Sequence, residues 1–151
     1  MQKQEITDFL KIQFPDCEVR DNTQLPELVV PLEALYQVAS QLKEHPQLEL
    51  DYLISMTAVD WKEKMTLVYH LDSSKFRHVM VLKADVADRE NPMADTVSSI
   101  WQTSEYHERE VFDLFGIRFN GHPDLRRLFL EDDYGYPLRK DFTDEVNIKK
   151  M

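Results

Sequence analysis

One cysteine in 151 residues excludes a good deal of chemistry. Cys17 alone cannot form an internal disulfide, a four-thiolate zinc site or the ligand set of an iron–sulfur cluster, and this economy fits a reducing compartment. Glycine is nearly as scarce. Gly116, Gly121 and Gly135 cannot compose G-x-G-x-x-G or a Walker phosphate loop, and no serine occupies a G-x-S-x-G elbow. Long apolar runs are missing too. The central charge-free stretch, Tyr52 to Val59, is too short to cross a bilayer and contains Ser55 and Thr57. The opening residues, Met1 to Asp8, lack the basic region and apolar block of a secretory signal. Any membrane association is therefore expected to run through another protein. Positive charge is in deficit, at a net −10, which argues against nucleic acid, since that is bound by clustered Lys and Arg through counterion release.

What remains is an ordinary core and a heavily charged exterior. An apolar fraction of 42% opposes disorder, and 151 residues suffice for one domain that buries roughly 70% of its unfolded surface. The charge is unevenly placed: residues 1–115 hold 11 basic and 21 acidic side chains, whereas residues 116–151 hold 7 of each. The balanced tail carries the basic pairs Arg126-Arg127 and Arg139-Lys140.

Periodicity predicts an amphipathic helix over 5–14, with Ile6, Phe9, Leu10 and Phe14 on one face and Pro15 ending it. Short strands at 17–20 and 27–30 suit a hairpin, and Pro31 suits the first turn of a second helix bearing Leu32, Leu35, Tyr36, Ala39 and Leu42. Three strands follow: 50–60, mostly apolar and expected to be central, then 65–71 and 77–86, which alternate. Met93, Val97, Ile100 and Trp101 return to helical spacing, ahead of a last helix from about Ser104 to Phe115. The order α-β-β-α-β-β-β-α-α implies a two-layer α+β fold, with a mixed sheet of about five strands and helices packed on one face. Residues 1–130 form that single domain. Beyond it, 131–151 has no period of 2 or 3.6 but is rich in aromatics, and it reads as an extended arm that buries itself against a partner in preference to a strand that closes this domain's own core.

The densest chemistry lies in Glu108-Arg109-Glu110-Val111-Phe112-Asp113-Leu114-Phe115-Gly116, continuing to His122-Pro123-Asp124-Leu125-Arg126-Arg127. Val111, Leu114 and Phe115 share a helix face, and Gly116 sits where a C-terminal cap needs positive φ. The carboxylates of Glu108, Glu110 and Asp113 could serve acid/base work if burial split their pKa values. With Arg109, Arg118, Arg126 and Arg127 so near, ion-pair architecture is the favoured reading. His107 and Glu110 stand at i and i+3, but the di-metal pattern needs Glu-x-x-His twice on facing helices. His122-Pro123-Asp124 reads as a turn.

These residues, in this spacing, resemble the signature of the 30 kDa subunit (designated C) of respiratory complex I, the NADH–quinone oxidoreductase: Glu108-Arg109-Glu110-x-x-Asp113-Leu114-Phe115, His122, Arg126-x-Leu128-Phe129. Gly135-x-Pro137-Leu138-Arg139-Lys140-Asp141-Phe142 is similar to the segment that follows in that family. The resemblance implies a non-catalytic structural subunit of the peripheral arm of a proton-translocating enzyme that passes electrons from NADH to quinone. It implies no flavin, iron–sulfur cluster or metal on this chain and no catalytic residue. The implied neighbours are the quinone-site subunit (designated D) and the terminal-cluster subunit (designated B), with the chain peripheral on the cytoplasmic side of the cell inner membrane. Glu108, Arg109, Glu110, Asp113, His122, Arg126 and Arg127 would shape the junction of core and interface. Arg139, Lys140 and Phe142 would belong to the arm. Three alternatives stay open: a homologous subunit of a membrane-bound hydrogenase or other-donor dehydrogenase, a stand-alone acid/base or metal hydrolase on His107, Glu110 and His122, and an adaptor unrelated to respiration.

Overall fold

The computed structural model describes residues 2–21, 24–127 and 135–139. Along the chain run α1 (Lys3–Gln13), β1 (Glu18–Arg20), β2 (Glu27–Val30), a 3₁₀ turn (Leu32–Ala34), α2 (Leu35–Glu44), β3 (Tyr52–Asp60), β4 (Met65–Asp72), β5 (Val79–Val86), β6 (Met93–Asp95), α3 (Ser104–Phe115) and β7 (Arg118–Asn120). The main sheet has the spatial order β1-β2-β5-β4-β3 and is mixed, because β2 runs parallel to β5 while the other pairs are antiparallel. The expected α+β fold with five mixed strands is the one observed.

Side-chain alternation divides the sheet into two unlike faces. Leu28, Val30, Met56, Met65, Leu67, Tyr69, Leu71, Met80, Leu82 and Ala84 turn to the helical layer, where Ile6 and Leu10 of α1, Leu35 and Leu42 of α2, and Val111 and Phe115 of α3 close one apolar cluster. Such a cluster is tightly packed, and truncating a fully enclosed residue such as Leu82 to alanine costs about 2–5 kcal/mol. The opposite face pairs charge with charge, as in Lys83 with Glu27 at 2.9 Å and Lys64 with Asp85 at 2.8 Å.

Two expectations fail here. The strand at 50–60 is not central: β3 is an edge strand, with Tyr52 and Ile54 exposed and α3 lying against its inner side. An edge strand covered by a helix is apolar for the helix's sake, and sequence does not separate that case from a central strand. Nor is the segment 93–101 a helix. Met93–Asp95 forms β6, paired in parallel with β7, a pairing that periodicity does not announce, and a turn follows it. Val97, Ile100 and Trp101 are buried from that turn, so the i, i+3, i+4 spacing reports packing without a continuous helix.

Candidate functional site

Helix α3 brings the signature residues together. It ends as expected at Gly116, which takes φ of 79° and donates its N–H to the Phe112 carbonyl at 2.9 Å. Tyr136 lies directly over that glycine, and a Cβ there would stand 2.7 Å from its ring. Leu138 N–H donates to the Leu114 carbonyl at 3.0 Å, and Arg139 Nη2 reaches the Arg89 carbonyl at 2.9 Å. Residues 135–139 thus lie along the C-terminal end of α3. Lys140 and Phe142, which the resemblance assigned to the arm, fall outside the described residues, as does Tyr134.

Near that end Asp113 is fully buried and accepts from Arg127 Nε at 2.5 Å. Arg127 spends Nη2 on two backbone carbonyls, those of Asp113 at 3.1 Å and Gly135 at 2.7 Å, and its guanidinium stacks over Tyr136 at 4.9 Å. One guanidinium therefore ties the helix, the following turn and the tail segment into one unit.

Glu108 departs from the ion-pair expectation. It is fully buried, but among the described residues no guanidinium reaches it. Its Oε1 meets the Thr96 hydroxyl and its Oε2 accepts from Val97 N–H at 2.9 Å, so the turn after β6 supplies its partners. Burial pushes its pKa up to about 7 against these two hydrogen bonds, which favour the charged form. Thr96 Oγ1 also accepts from Ser98 N–H at 3.1 Å and lies 3.0 Å from the Ser98 hydroxyl. That arrangement fits a protonated Glu108 equally well, with Glu108 donating to Thr96 and Thr96 to Ser98. The Tyr69 hydroxyl on β4 is enclosed with no hydrogen-bond partner among the described residues, and burial, then the Glu108 carboxylate, raise its pKa well above the phenol range.

His122 closes the same region. Its Nδ1 accepts from Asp124 N–H at 2.9 Å, so Nε2 carries the proton and donates to the Glu105 carbonyl at 2.8 Å. Nε2 is 3.9 Å from Glu108 Oε1, beyond hydrogen-bond reach. Both ring nitrogens being engaged by backbone, His122 pins the turn after β7 to α3 and has no lone pair left for a metal or a substrate. His107 and Glu110 are half-buried on α3, and no group of three or more possible ligands forms among the described residues. Arg109 also departs from expectation. It is half-buried, its Nε is enclosed without a hydrogen-bond partner, and it makes no ion pair among the described residues. Arg126 is exposed and forks onto Asp124 at 3.1 and 3.0 Å. That guanidinium holds the Asp124 carboxyl below the usual range. Thr96, Ser98 and Tyr136 were missed as site residues. The run Asp95-Thr96-Val97-Ser98 carried the signal, since Thr and Ser two apart favour a hydroxyl-bonded turn.

The architecture is thus a set of internal ties, and comparison says whose. The family described as the respiratory-chain NADH dehydrogenase 30 Kd subunit matches residues 28–146. The chain belongs to that family. An NADH-quinone oxidoreductase subunit of Moorella thermoacetica, designated C, is 41% identical over 132 residues, covering 85% of this chain and 87% of that protein. A protein of Phocaeicola vulgatus, whose name joins two designations of the same oxidoreductase as C/D, is 44% identical over 124 residues, covering 81% of this chain. This chain spans only 24% of that longer relative. Among solved structures, a chain of the membrane-bound sulfane sulfur reductase, described as an archaeal respiratory membrane complex, superposes with a TM-score of 0.80 at 29% identity, covering 97% of this chain and 89% of that one. Among the described residues of this 30 kDa family member, no helix is long and apolar enough to cross a membrane.

Proposed function

We propose that this chain is a non-catalytic structural subunit of the peripheral arm of a proton-translocating NADH–quinone oxidoreductase, lying on the cytoplasmic side of the membrane and docked on the quinone-site subunit and the terminal-cluster subunit. The observation that carries the reading is the near full-length similarity to an NADH-quinone oxidoreductase subunit, with residues on both sides of the signature inside the matched region. The joined C/D designation of the Phocaeicola relative supports the quinone-site protein as the neighbour, because one polypeptide bears both designations. The signature itself supports a structural role. Asp113 with Arg127, Glu108 with Thr96 and Val97, and His122 with Glu105 each spend their polar groups on holding α3, β6 and the turn after β7 together. Arg109, Glu110 and Arg126 stand on the outer side of that unit and, with Arg139, form the docking side, a role that the sequence resemblance extends to Lys140 and Phe142.

A second reading has one observation in its favour. The likeness to a chain of a sulfane sulfur reductase, over nearly all of both chains, supports an assembly of the same architecture fed by another electron donor. Purification of the intact complex from native membranes through a tag on this chain, followed by mass spectrometry, separates the cases. The quinone-site and terminal-cluster subunits, together with an NADH-oxidising module, are the expected companions. Hydrogenase or sulfur-reductase subunits would move the assignment to the second reading, and recovery of no respiratory subunit would overturn both.

A further inference from the structure

Beside the Asp113–Arg127 tie lies a cleft of about 270 Å³, lined by Phe112, Arg118, Leu125, Arg126, Arg127 and Tyr136. Of the six described residues that line it, three are arginine and none is acidic, although the whole chain carries −10. The arginines are not equivalent. Arg126 is committed to Asp124, and Arg127 to Asp113 and two carbonyls. Yet Arg127, with a side chain only 6% exposed, keeps one buried nitrogen, Nη1, with no hydrogen-bond partner among the described residues. Arg118 lies over the Phe112 ring at 5.3 Å and has no carboxylate partner among the described residues. A buried guanidinium N–H left unsatisfied is costly, and the cost is recovered only if an acceptor arrives.

We propose that this cleft receives a carboxylate side chain, Asp or Glu, from a neighbouring protein subunit. The acid's charge would pair with the exposed Arg118, its methylene stem would rest between Phe112, Leu125 and Tyr136, and a shift of the groups over Arg127 Nη1 would let its oxygen accept there too. A single unpaired guanidinium and a single unused buried nitrogen match a monoanion with an apolar stem. A phosphate-rich surface fits less well, because the strongly negative remainder of this chain repels it. The inference rests on the docking reading above and deepens it by giving the partner's recognition element.

The test uses the intact complex carrying Arg118→Lys. Arg118 is exposed, so the exchange leaves the core untouched. A carbodiimide joins an amine directly to a carboxylate within contact distance and does not join arginine. The expected result is a new amide link from position 118 to an Asp or Glu of another subunit, present in the variant and absent in the wild type. Alongside it, Arg118→Glu is expected to lower the salt concentration at which the chain leaves the complex, with binding weakened about tenfold. A link only to this chain's own Glu131, Asp132 or Asp133, a link to a phospholipid headgroup, or no link would each overturn the proposal. If the wild-type chain is not in the complex at all, the docking reading fails first. If it is present and position 118 finds no foreign carboxylate, this inference alone fails.

Discussion

Glu108 and Asp113 lie five residues apart on one helix, and neither exposes any surface, yet their surroundings are opposite. Asp113 meets a guanidinium that is itself buried and fixed by two carbonyls. Glu108 meets a hydroxyl and one amide N–H, beside a tyrosine hydroxyl with no partner among the described residues. A buried carboxylate with a bidentate-capable partner is held as a charge, whereas one surrounded by weak dipoles keeps its proton to higher pH. The same residue class on the same helix thus serves as an electrostatic clamp at Asp113 and, at Glu108, as a hydrogen-bonding plug that takes up its proton near pH 7. The distinction is set by what the chain delivers from elsewhere: Arg127 from the turn after β7, and Thr96 from the turn after β6.

The most forceful way to break this contrast is to remove the clamp. Asp113→Ala leaves the Arg127 charge buried and uncompensated, and should lower the unfolding free energy by about 3–5 kcal/mol in urea titration. A loss under about 1 kcal/mol would mean that Arg127 relaxes into solvent and that the two ends of α3 do not differ.

The plug is tested by pH. The native-state pKa of Glu108, about 7, lies above the ordinary carboxylate value, so the folded chain binds this proton more tightly than the unfolded one. Its contribution is fully present below about pH 4.5 and is lost as pH rises through 7, an effect of about 3 kcal/mol in total. The facing ionisable groups are Tyr69, Glu105 and His122. Tyr69 stays protonated throughout that window. Asp51 and Asp124 have lowered pKa values through Ser74 and Arg126, so their contributions are lost only at more acid pH, with the opposite sign. Between pH 5 and 8, the stability of Glu108→Gln should therefore fall less steeply than that of the wild type. Parallel curves would show that Glu108 is ionised throughout.

Gly116 sharpens the clamp end. Alanine there must hold a left-handed backbone conformation and press its Cβ into the Tyr136 ring, so Gly116→Ala should cost about 1–2 kcal/mol. Because Tyr136 also stacks on Arg127, combining this change with Asp113→Ala should give less than the sum of the two losses.

The clamp end was largely legible in the sequence. An apolar face followed by Gly116 fixes where α3 stops, and an Asp one turn before the stop, with a basic pair after a His-Pro-Asp turn, points to an ion pair. The plug end was not legible, for a physical reason. Val97, Ile100 and Trp101 have the spacing of a helix, and a helix there would have turned the Thr96 hydroxyl to its own backbone instead of toward Glu108. Strand β7 was hidden likewise: Arg118-Phe119-Asn120 is too short to show alternation, and its partner β6 is distant in sequence. The edge position of β3 escaped because helix cover and sheet cover demand the same apolar residues.

Arg109 separates clamp from plug most finely, since it adjoins Glu108 and stands one turn before Asp113. The ion-pair reading of the signature made it a buried partner whose removal would cost about 3–5 kcal/mol. Its actual surroundings oppose that: it is half-buried, and its Nε is enclosed without an acceptor among the described residues. Removing an unsatisfied donor relieves a desolvation cost, while removing the methylene stem loses packing on the helix flank. The two contributions oppose each other, and Arg109→Ala should change the stability of the isolated chain by less than about 1 kcal/mol. The same substitution should weaken retention of the chain in the purified complex, if the outer face of α3 is a docking side. A stability loss of about 3 kcal/mol or more would instead make Arg109 a second internal clamp, and the division of labour along the helix would lie elsewhere.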